Sequence, residues 1–287
     1  MAKRINRKLE LFTIHAHEMP EADYNDIFDQ FNRIPKNQRI ARIYGTVIGF
    51  PFIERTENGY FIQALEGDLD AIQVVFDLST GEAKESDLGS NEVYGQATHF
   101  IVVPSARSAA IEYVRSGAKA ILLGPAIAEI MRNNFEEFSD LQVEFAPKIQ
   151  RAFEEEIDLF ERIRMASIRV TRPNASWTDH YSDLSDLMDQ SDGDKASIDV
   201  RAGRGGSLNK NGGIVQVIKD VSTDEFPYIE EASVTGTRQD EVSETTVRSK
   251  SHVIHSRVVV DADDTGTAYS TSIRRKLSEF ISSWIRA

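Results

Sequence analysis

The sequence contains no cysteine. This absence excludes disulfide bonds, thiolate metal sites and cysteine nucleophiles, and it is typical of proteins in a reducing compartment. The chain also lacks any stretch of about 20 apolar residues, the length that a membrane-spanning helix requires. The basic N-terminal segment has no apolar core like that of a signal peptide. We therefore expect a cytoplasmic protein with no membrane partner.

Basic residues are fewer than acidic ones, and the two kinds are unevenly distributed. The chain has 46 Asp and Glu against 33 Lys and Arg, which gives a net charge of −13. A charge of this sign argues against a protein covered with nucleic acid. However, the segments 1–8, 162–172, 200–219 and 248–257 contain basic residues and no acid. They predict either one basic face on an acidic protein or ordinary solvated surface.

Strand-like and helix-like segments are mixed along the chain, which predicts an α+β fold. A stripe of apolar residues at a spacing of three to four predicts a helix over 148–162. The stripe comprises Ile149, Phe153, Ile157 and Phe160. We expect this helix to connect an N-terminal mixed α/β domain (1–147) to a C-terminal α/β domain (163–287).

Capping residues give the helix predictions of the N-terminal half. Asp23 predicts a helix over 24–34, and Ser105 predicts another over 106–117. Pro125 predicts the start of a third helix, because proline is favoured at the first helical position. Apolar or alternating segments predict strands near 8–17, 41–55, 60–66, 71–83, 96–104 and 141–147.

The C-terminal half begins with a predicted strand over 163–172, a helix over 179–190 and a strand over 196–202. This order suggests a crossover unit. A glycine-rich basic loop, AGRGGSLNKNGG, follows at 202–213. The next segment, 214–221, has the apolar stripe of a helix and the β-branched content of a strand. We favour the helix; a strand would make the loop a hairpin tip.

The glycine-rich loop matches no nucleotide fingerprint. It lacks the spacing of a P-loop and that of a Rossmann motif, so no cofactor is predicted. Glycine lets a main chain approach a phosphate closely, and Arg204 and Lys210 supply positive charge. The loop is thus either a phosphate-contacting segment or a disordered surface loop.

The segment 192–201 offers acids of the kind found in metal-dependent nucleases. Asp192 and Asp194 precede a predicted strand, and Asp199 is separated by one residue from Arg201. Such nucleases carry lysine at the last position, and arginine does not readily take part in proton transfer. A metal-dependent nuclease is therefore an alternative, and no catalytic or metal-binding residue is assigned.

The order of elements over roughly 140–265 resembles that of the RexA-type phage-exclusion proteins. The resemblance lies in "LQVEFAPKI", then a helical stretch, "ASIRVTRP", another helix and "SIDVR" running into a basic segment. It implies a mixed α/β fold, a dimer and DNA binding with little sequence preference. No residue role is carried over.

These observations lead to one hypothesis and two alternatives. The hypothesis is a non-enzymatic nucleic-acid-binding or sensing component of antiviral defence, binding DNA in preference to RNA as a homo-oligomer or with a partner protein from the same operon. The alternatives are a protein-interaction subunit, whose acidic surface binds a partner or mimics nucleic acid, and the nuclease. The expected phosphate contacts are Arg169, Arg172, Arg201, Arg204, Lys210, Arg248, Lys250 and Arg257.

Overall fold

The computed structural model describes residues 3–17, 23–43, 45–68, 74–76, 83–85, 95–171, 190–191, 195–220, 229–239, 241, 243–263 and 266–285. The strands are β1 (Lys3–His17), β2 (Ile40–Ile43), β3 (Thr46–Arg55), β4 (Tyr60–Asp68), β5 (Val74–Phe76), β6 (Ala83–Glu85), β7 (Gln96–Val103), β8 (Ser108–Tyr113), β9 (Gln142–Pro147), β10 (Phe160–Thr171), β11 (Lys195–Arg201), β12 (Ile229–Arg238), β13 (Thr245–Arg248) and β14 (His255–Ala262). The helices are α1 (Tyr24–Arg33), α2 (Ala120–Asn134), α3 (Ala152–Asp158), α4 (Ile214–Asp220) and α5 (Ser270–Ile285). The mixture of helices and strands in the predicted α+β class is confirmed.

The larger sheet has the strand order β14-β1-β8-β7-β4-β3-β2, and β9 also pairs with β1. Every pairing between these strands is antiparallel. The long strand β1 pairs with β14 through residues 3–10 and with β9 through residues 12–17. Strands β5 and β6 form a separate antiparallel pair.

Helices cover both faces of the larger sheet. Phe100 and Val102 of β7 pack in a core that includes residues of α1 and α2. Ile101 and Val103, which point to the opposite face, pack in a core with residues of α5. Because successive side chains of a strand point to opposite faces, β7 is apolar from Phe100 to Val103, where both of its faces are covered.

The smaller sheet has the order β11-β10-β12-β13 and is also antiparallel. Its core joins Ile168 and Val170 of β10 to Phe153 of α3 and Val215 of α4. The predicted helix after the glycine-rich loop therefore exists as α4, and its apolar stripe packs against this sheet.

The helix predicted over 106–117 is wrong, because Ser108–Tyr113 form strand β8. β8 lies between β1 and β7, and its residues from Ser108 to Ile111 are buried. A short 3-10 turn over Pro104–Ala106 and Arg107, which has a φ of 45°, reverse the chain between β7 and β8. Pairing on both sides of the strand outweighs the local capping signal.

Helix α2 begins at Ala120, so the predicted start at Pro125 is also wrong. Proline within a helix removes one backbone hydrogen bond. Leu123 and Gly124, which precede the proline, are fully buried. The packing of this first turn against the sheet therefore extends the helix past the position that the sequence signal favours.

The predicted connector over 148–162 is mostly not helical. Only Ala152–Asp158 form a helix, and β10 begins at Phe160. The four stripe residues are all buried in one core, but Ile149 forms a bridge to Val253 and Phe160 belongs to a strand. The backbone after residue 159 pairs with β12, which ends the helix early.

The expected crossover between the strands at 163–172 and 196–202 is not parallel. Strands β10 and β11 are antiparallel neighbours. The helix predicted over 179–190 lies almost entirely outside the described residues. Strand β14 and helix α5, both in the C-terminal half of the sequence, lie with the larger sheet.

Candidate nucleic-acid interface

One face of the smaller sheet carries polar side chains. On β10, Ala166, Ile168 and Val170 are buried in the core, while Met165, Ser167 and Arg169 alternate with them on the opposite face. The strand register adds the partners of these three residues. We define the polar sheet face as Met165, Ser167, Arg169, Lys195, Ser197, Asp199, Arg201, Glu230, Glu231, Ser233, Thr235, Thr246, Arg248 and Lys250.

Four of the predicted phosphate contacts lie on this face. Arg201 is opposite Met165, and Arg169 is opposite both Ser197 and Glu231. Arg248 lies on the edge strand β13, opposite Ser233 of β12. Lys250 follows β13 and approaches Glu231 at 3.0 Å. The structure therefore brings together basic residues from three separate segments of the sequence.

The acids of the face are surrounded by cations. Arg169 Nη1 lies 3.5 Å from Glu231 Oε2, and Lys195 Nζ lies 3.0 Å from Glu230 Oε2. Burial acts to raise the pKa of Glu230, but the hydrogen bond and charge of Lys195 and the charges of Lys250 and Arg169 outweigh it and lower this pKa. The neighbouring cations therefore stabilise the ionised form of Glu230.

Two arginines of the face have side chains without an ionic contact among the described residues. The guanidinium groups of Arg201 and Arg248 are exposed, and neither has a hydrogen bond or an ion pair within the described part of the chain. Asp199, the neighbour of Arg201 on the same side of β11, accepts a hydrogen bond from Ser167 Oγ. Both guanidinium groups therefore face solvent.

Hydrogen bonds fasten the glycine-rich loop to β10 along its first half. Among them, Arg162 Nε donates to Gly206 O at 2.9 Å, Leu208 N donates to Ile163 O at 2.9 Å, and Ser207 Oγ accepts from Ile163 N at 2.9 Å. The loop is therefore hydrogen-bonded to the sheet and not disordered in the structure. Lys210 Nζ donates to the Asp158 carbonyl at 2.9 Å, whereas Arg204 is exposed at the bend of the loop.

Arg257 lies outside the polar sheet face, on β14 of the larger sheet and opposite Lys8. Arg172 lies outside the described residues, as do Asp192 and Asp194 of the nuclease alternative. Across the described ranges, no three His, Asp or Glu side chains are grouped so that they could hold a metal ion.

A buried His–Glu pair was not anticipated from the sequence. His99 on β7 is directly opposite Glu112 on β8, and the imidazole Nδ1 lies 2.7 Å from Glu112 Oε2. Both side chains are 1% exposed. Arg7 Nε donates to Glu112 Oε1 at 2.8 Å. The only signal in the sequence is a single polar residue within each of two apolar segments, and the pairing of β7 with β8 joins them.

Comparisons with known protein-family models and with curated proteins find no match. Among the described helices, none has both the length and the apolar character needed to cross a bilayer.

Proposed function

We propose that this protein binds nucleic acid without acting on it chemically, and that it holds a phosphate backbone on its polar sheet face. The observation that carries the proposal is a pair of exposed arginines on the two edge strands of this face. They are Arg201 on β11 and Arg248 on β13, and neither guanidinium group has an ion pair among the described residues. Arginine binds phosphate oxygens through a planar fork of donors, and such contacts dominate affinity for nucleic acids.

Hydroxyl groups between the two arginines support the same ligand. Four hydroxyl groups lie on strands β10, β12 and β13 of this face: those of Ser167, Ser233, Thr235 and Thr246. Serine and threonine hydroxyls commonly donate to phosphate oxygens. The two arginines lie three strand spacings apart, and Arg201 is two residues beyond Asp199, the position in line with Arg248. With about 4.8 Å between strands and about 3.4 Å between residues, their Cα atoms are about 16 Å apart, or about five phosphate steps of one DNA strand.

The composition of the face favours a duplex over a single strand. Its defined residues include no aromatic side chain, and stacking of bases on aromatic rings is the usual means of binding single strands. The resemblance to RexA-type proteins adds DNA in preference to RNA, bound with little dependence on sequence, to this proposal.

The two sheets have different roles in this proposal. In this proposal the smaller sheet with α3 and α4 is the binding unit, and the larger sheet with α1, α2 and α5 forms a second unit. The resemblance to RexA-type proteins supports a homodimer and a role in bacterial or phage antiviral defence, and a partner protein from the same operon is the alternative to the homodimer. The absence of cysteine supports a cytoplasmic location.

The test is the salt dependence of DNA binding, measured by fluorescence anisotropy with a labelled 30-base-pair duplex. We expect binding that weakens as salt rises from 50 to 200 mM. The double variant Arg201→Ala, Arg248→Ala removes two phosphate contacts and should reduce the slope of log K against log salt by about 1.8. Arg257→Ala is the matched control, because Arg257 is an exposed arginine on the other sheet.

Three results are informative. Loss of affinity in the double variant with no change in Arg257→Ala supports the proposed face. Equal losses in both indicate that charge matters and the face does not. Absence of binding at 50 mM salt for duplex DNA, single-stranded DNA and RNA overturns the proposal.

A further inference from the structure

We propose that Ser270, His99 and Glu112 form a nucleophilic site for acyl transfer, an activity separate from nucleic-acid binding. Ser270 Oγ lies 3.2 Å from His99 Nε2, and the other imidazole nitrogen lies 2.7 Å from Glu112 Oε2. Ser270 is exposed at the first position of α5, while the other two side chains are buried beneath it. A hydroxyl, a base and a carboxylate in this order are the components of a serine hydrolase.

The surroundings of Glu112 set the tautomer of His99. Glu112 accepts from Arg7 Nε and from the backbone N–H of His99, at 2.8 and 3.3 Å. These donors hold the carboxylate in place, with Oε2 against the imidazole Nδ1. In the proposed site Nδ1 carries the proton that Glu112 accepts, and Nε2 faces Ser270 Oγ as the hydrogen-bond acceptor.

Two neighbours hold the imidazole ring in this orientation. Phe61 is stacked on His99, with ring centroids 5.7 Å apart and planes 7° from parallel. The side-chain amide nitrogen of Gln63 also lies 3.2 Å from His99 Nε2, so it and Ser270 Oγ both contact this ring nitrogen. Phe61 and Gln63 are both on β4, which pairs with β7, so the base is fixed by the sheet.

A purely structural role would place the hydroxyl in the interior. Ser272, two residues further along α5, has this role, because it is buried and its Oγ accepts from the Asp261 N–H at 3.0 Å. Ser270 instead faces solvent while contacting the imidazole. Its position in the first turn of α5 also exposes it to the positive end of the helix dipole, which stabilises a developing oxyanion.

The chemistry balances without an added oxidant or reductant. Ser270 Oγ attacks the carbonyl carbon of a carboxylic ester, and its proton passes to His99 Nε2. The bond from that carbon to the alcohol oxygen breaks, and the alcohol leaves with the proton from His99. Water then attacks the acyl carbon and gives a proton to His99. The acid is released, and the proton returns to Ser270 Oγ.

Phe52 and Tyr269 suggest an apolar acyl group as the substrate. Phe52 is 39% exposed and packs edge-on against Phe61, and Tyr269 is 47% exposed beside Ser270. Exposed aromatic rings of this kind bind apolar groups. A carboxylic ester with a small apolar acyl chain is thus the expected class.

The test uses the full chain and an alkyl fluorophosphonate, which bonds to an activated serine with loss of fluoride. We expect modification at Ser270, located by peptide mass spectrometry, and loss of this modification in Ser270→Ala. Thr271→Ala is the matched control, since it removes the adjacent exposed hydroxyl, and it should react like the wild type. His99→Gln, which retains Ser270 and removes the base, should react at least about 100-fold more slowly.

The exposed position of Ser270 keeps the test decisive even if His99→Gln does not fold. Circular dichroism establishes that Ser270→Ala is folded. The proposal is overturned if the wild type is not modified at Ser270, or if Ser270→Ala reacts as fast as the wild type.

Discussion

The buried ammonium group of Lys219 forms an ion pair with the carboxylate of Asp158. The side chain of Lys219 is 6% exposed, whereas that of Asp158 is 49% exposed. Lys219 lies on α4 and Asp158 ends α3, so the pair fastens the helix that follows the glycine-rich loop. Lys210 also bonds the Asp158 carbonyl, which links the loop to the same point.

Replacing Asp158 with Asn should lower the free energy of unfolding by about 2 kcal/mol. Breaking an ion pair whose partners are both buried costs about 3–5 kcal/mol. The exposure of Asp158 and the remaining contact of Lys219 with Asn211 Oδ1 reduce this value. Urea denaturation followed by circular dichroism measures the change. Asp140→Asn is the control, because Asp140 is exposed and bonds only its neighbour Ser139. Equal midpoints for the two variants would show that the ion pair contributes nothing.

Gly124→Ala should be destabilising, although alanine is the better helix former. In an exposed helix the exchange would stabilise by about 0.5–1 kcal/mol. At Gly124 an added Cβ would lie 2.3 Å from the backbone carbonyl oxygen of Val143 on β9. The backbone must then shift, at a cost of about 1–3 kcal/mol. Thermal unfolding should show a lower Tm for this variant and an unchanged or higher one for Asn133→Ala, an exposed position of the same helix.

Tyr60→Phe should reveal a pH-dependent contribution to stability. Burial of Tyr60, together with its hydrogen bond to Asp29, raises the pKa of the phenol to about 12, against about 10 in an unfolded chain. The stabilisation is complete below pH 10 and is lost as the pH rises from 10 to 12, because the unfolded chain ionises first. The difference in unfolding free energy between wild type and Tyr60→Phe should therefore be smaller by about 1 kcal/mol at pH 11 than at pH 8. A difference that is the same at both pH values contradicts this assignment.

Arg39→Met should weaken the end of α1. The buried guanidinium group donates to Ile34 O at 2.6 Å and to Asn32 O at 2.7 Å. Asn32 lies in the last turn of α1 and Ile34 is its C-cap residue, so their carbonyl oxygens have no hydrogen-bond donor within the helix. Methionine keeps an apolar stem and removes both bonds, so we expect a loss of about 2 kcal/mol in urea denaturation. Arg42→Met, at an exposed position of β2, should change stability by less than about 0.5 kcal/mol.

The sequence by itself was sufficient wherever a local pattern determines the structure. The Asp23 cap is confirmed, since its carboxylate accepts from the Asn25 N–H at 2.8 Å. The helix α4 and the strands β3, β4, β7 and β11 follow from their apolar periodicity. In these segments the same residues that give the pattern also form the core, so local and tertiary preferences agree.

Only the tertiary structure decided which distant residues meet. Ser108–Tyr113 became a strand because two neighbours pair with it, against its local capping signal. Arg201 and Arg248 share a face, and His99 meets Glu112, through strand registers that no spacing in the sequence records. Hydrogen-bond pairing between strands fixes these positions, and it depends on the whole sheet. The basic segments are visible in the sequence. The sequence does not show that the side chain of Arg201 is exposed on the polar sheet face, whereas that of Lys210 is bonded to the Asp158 carbonyl.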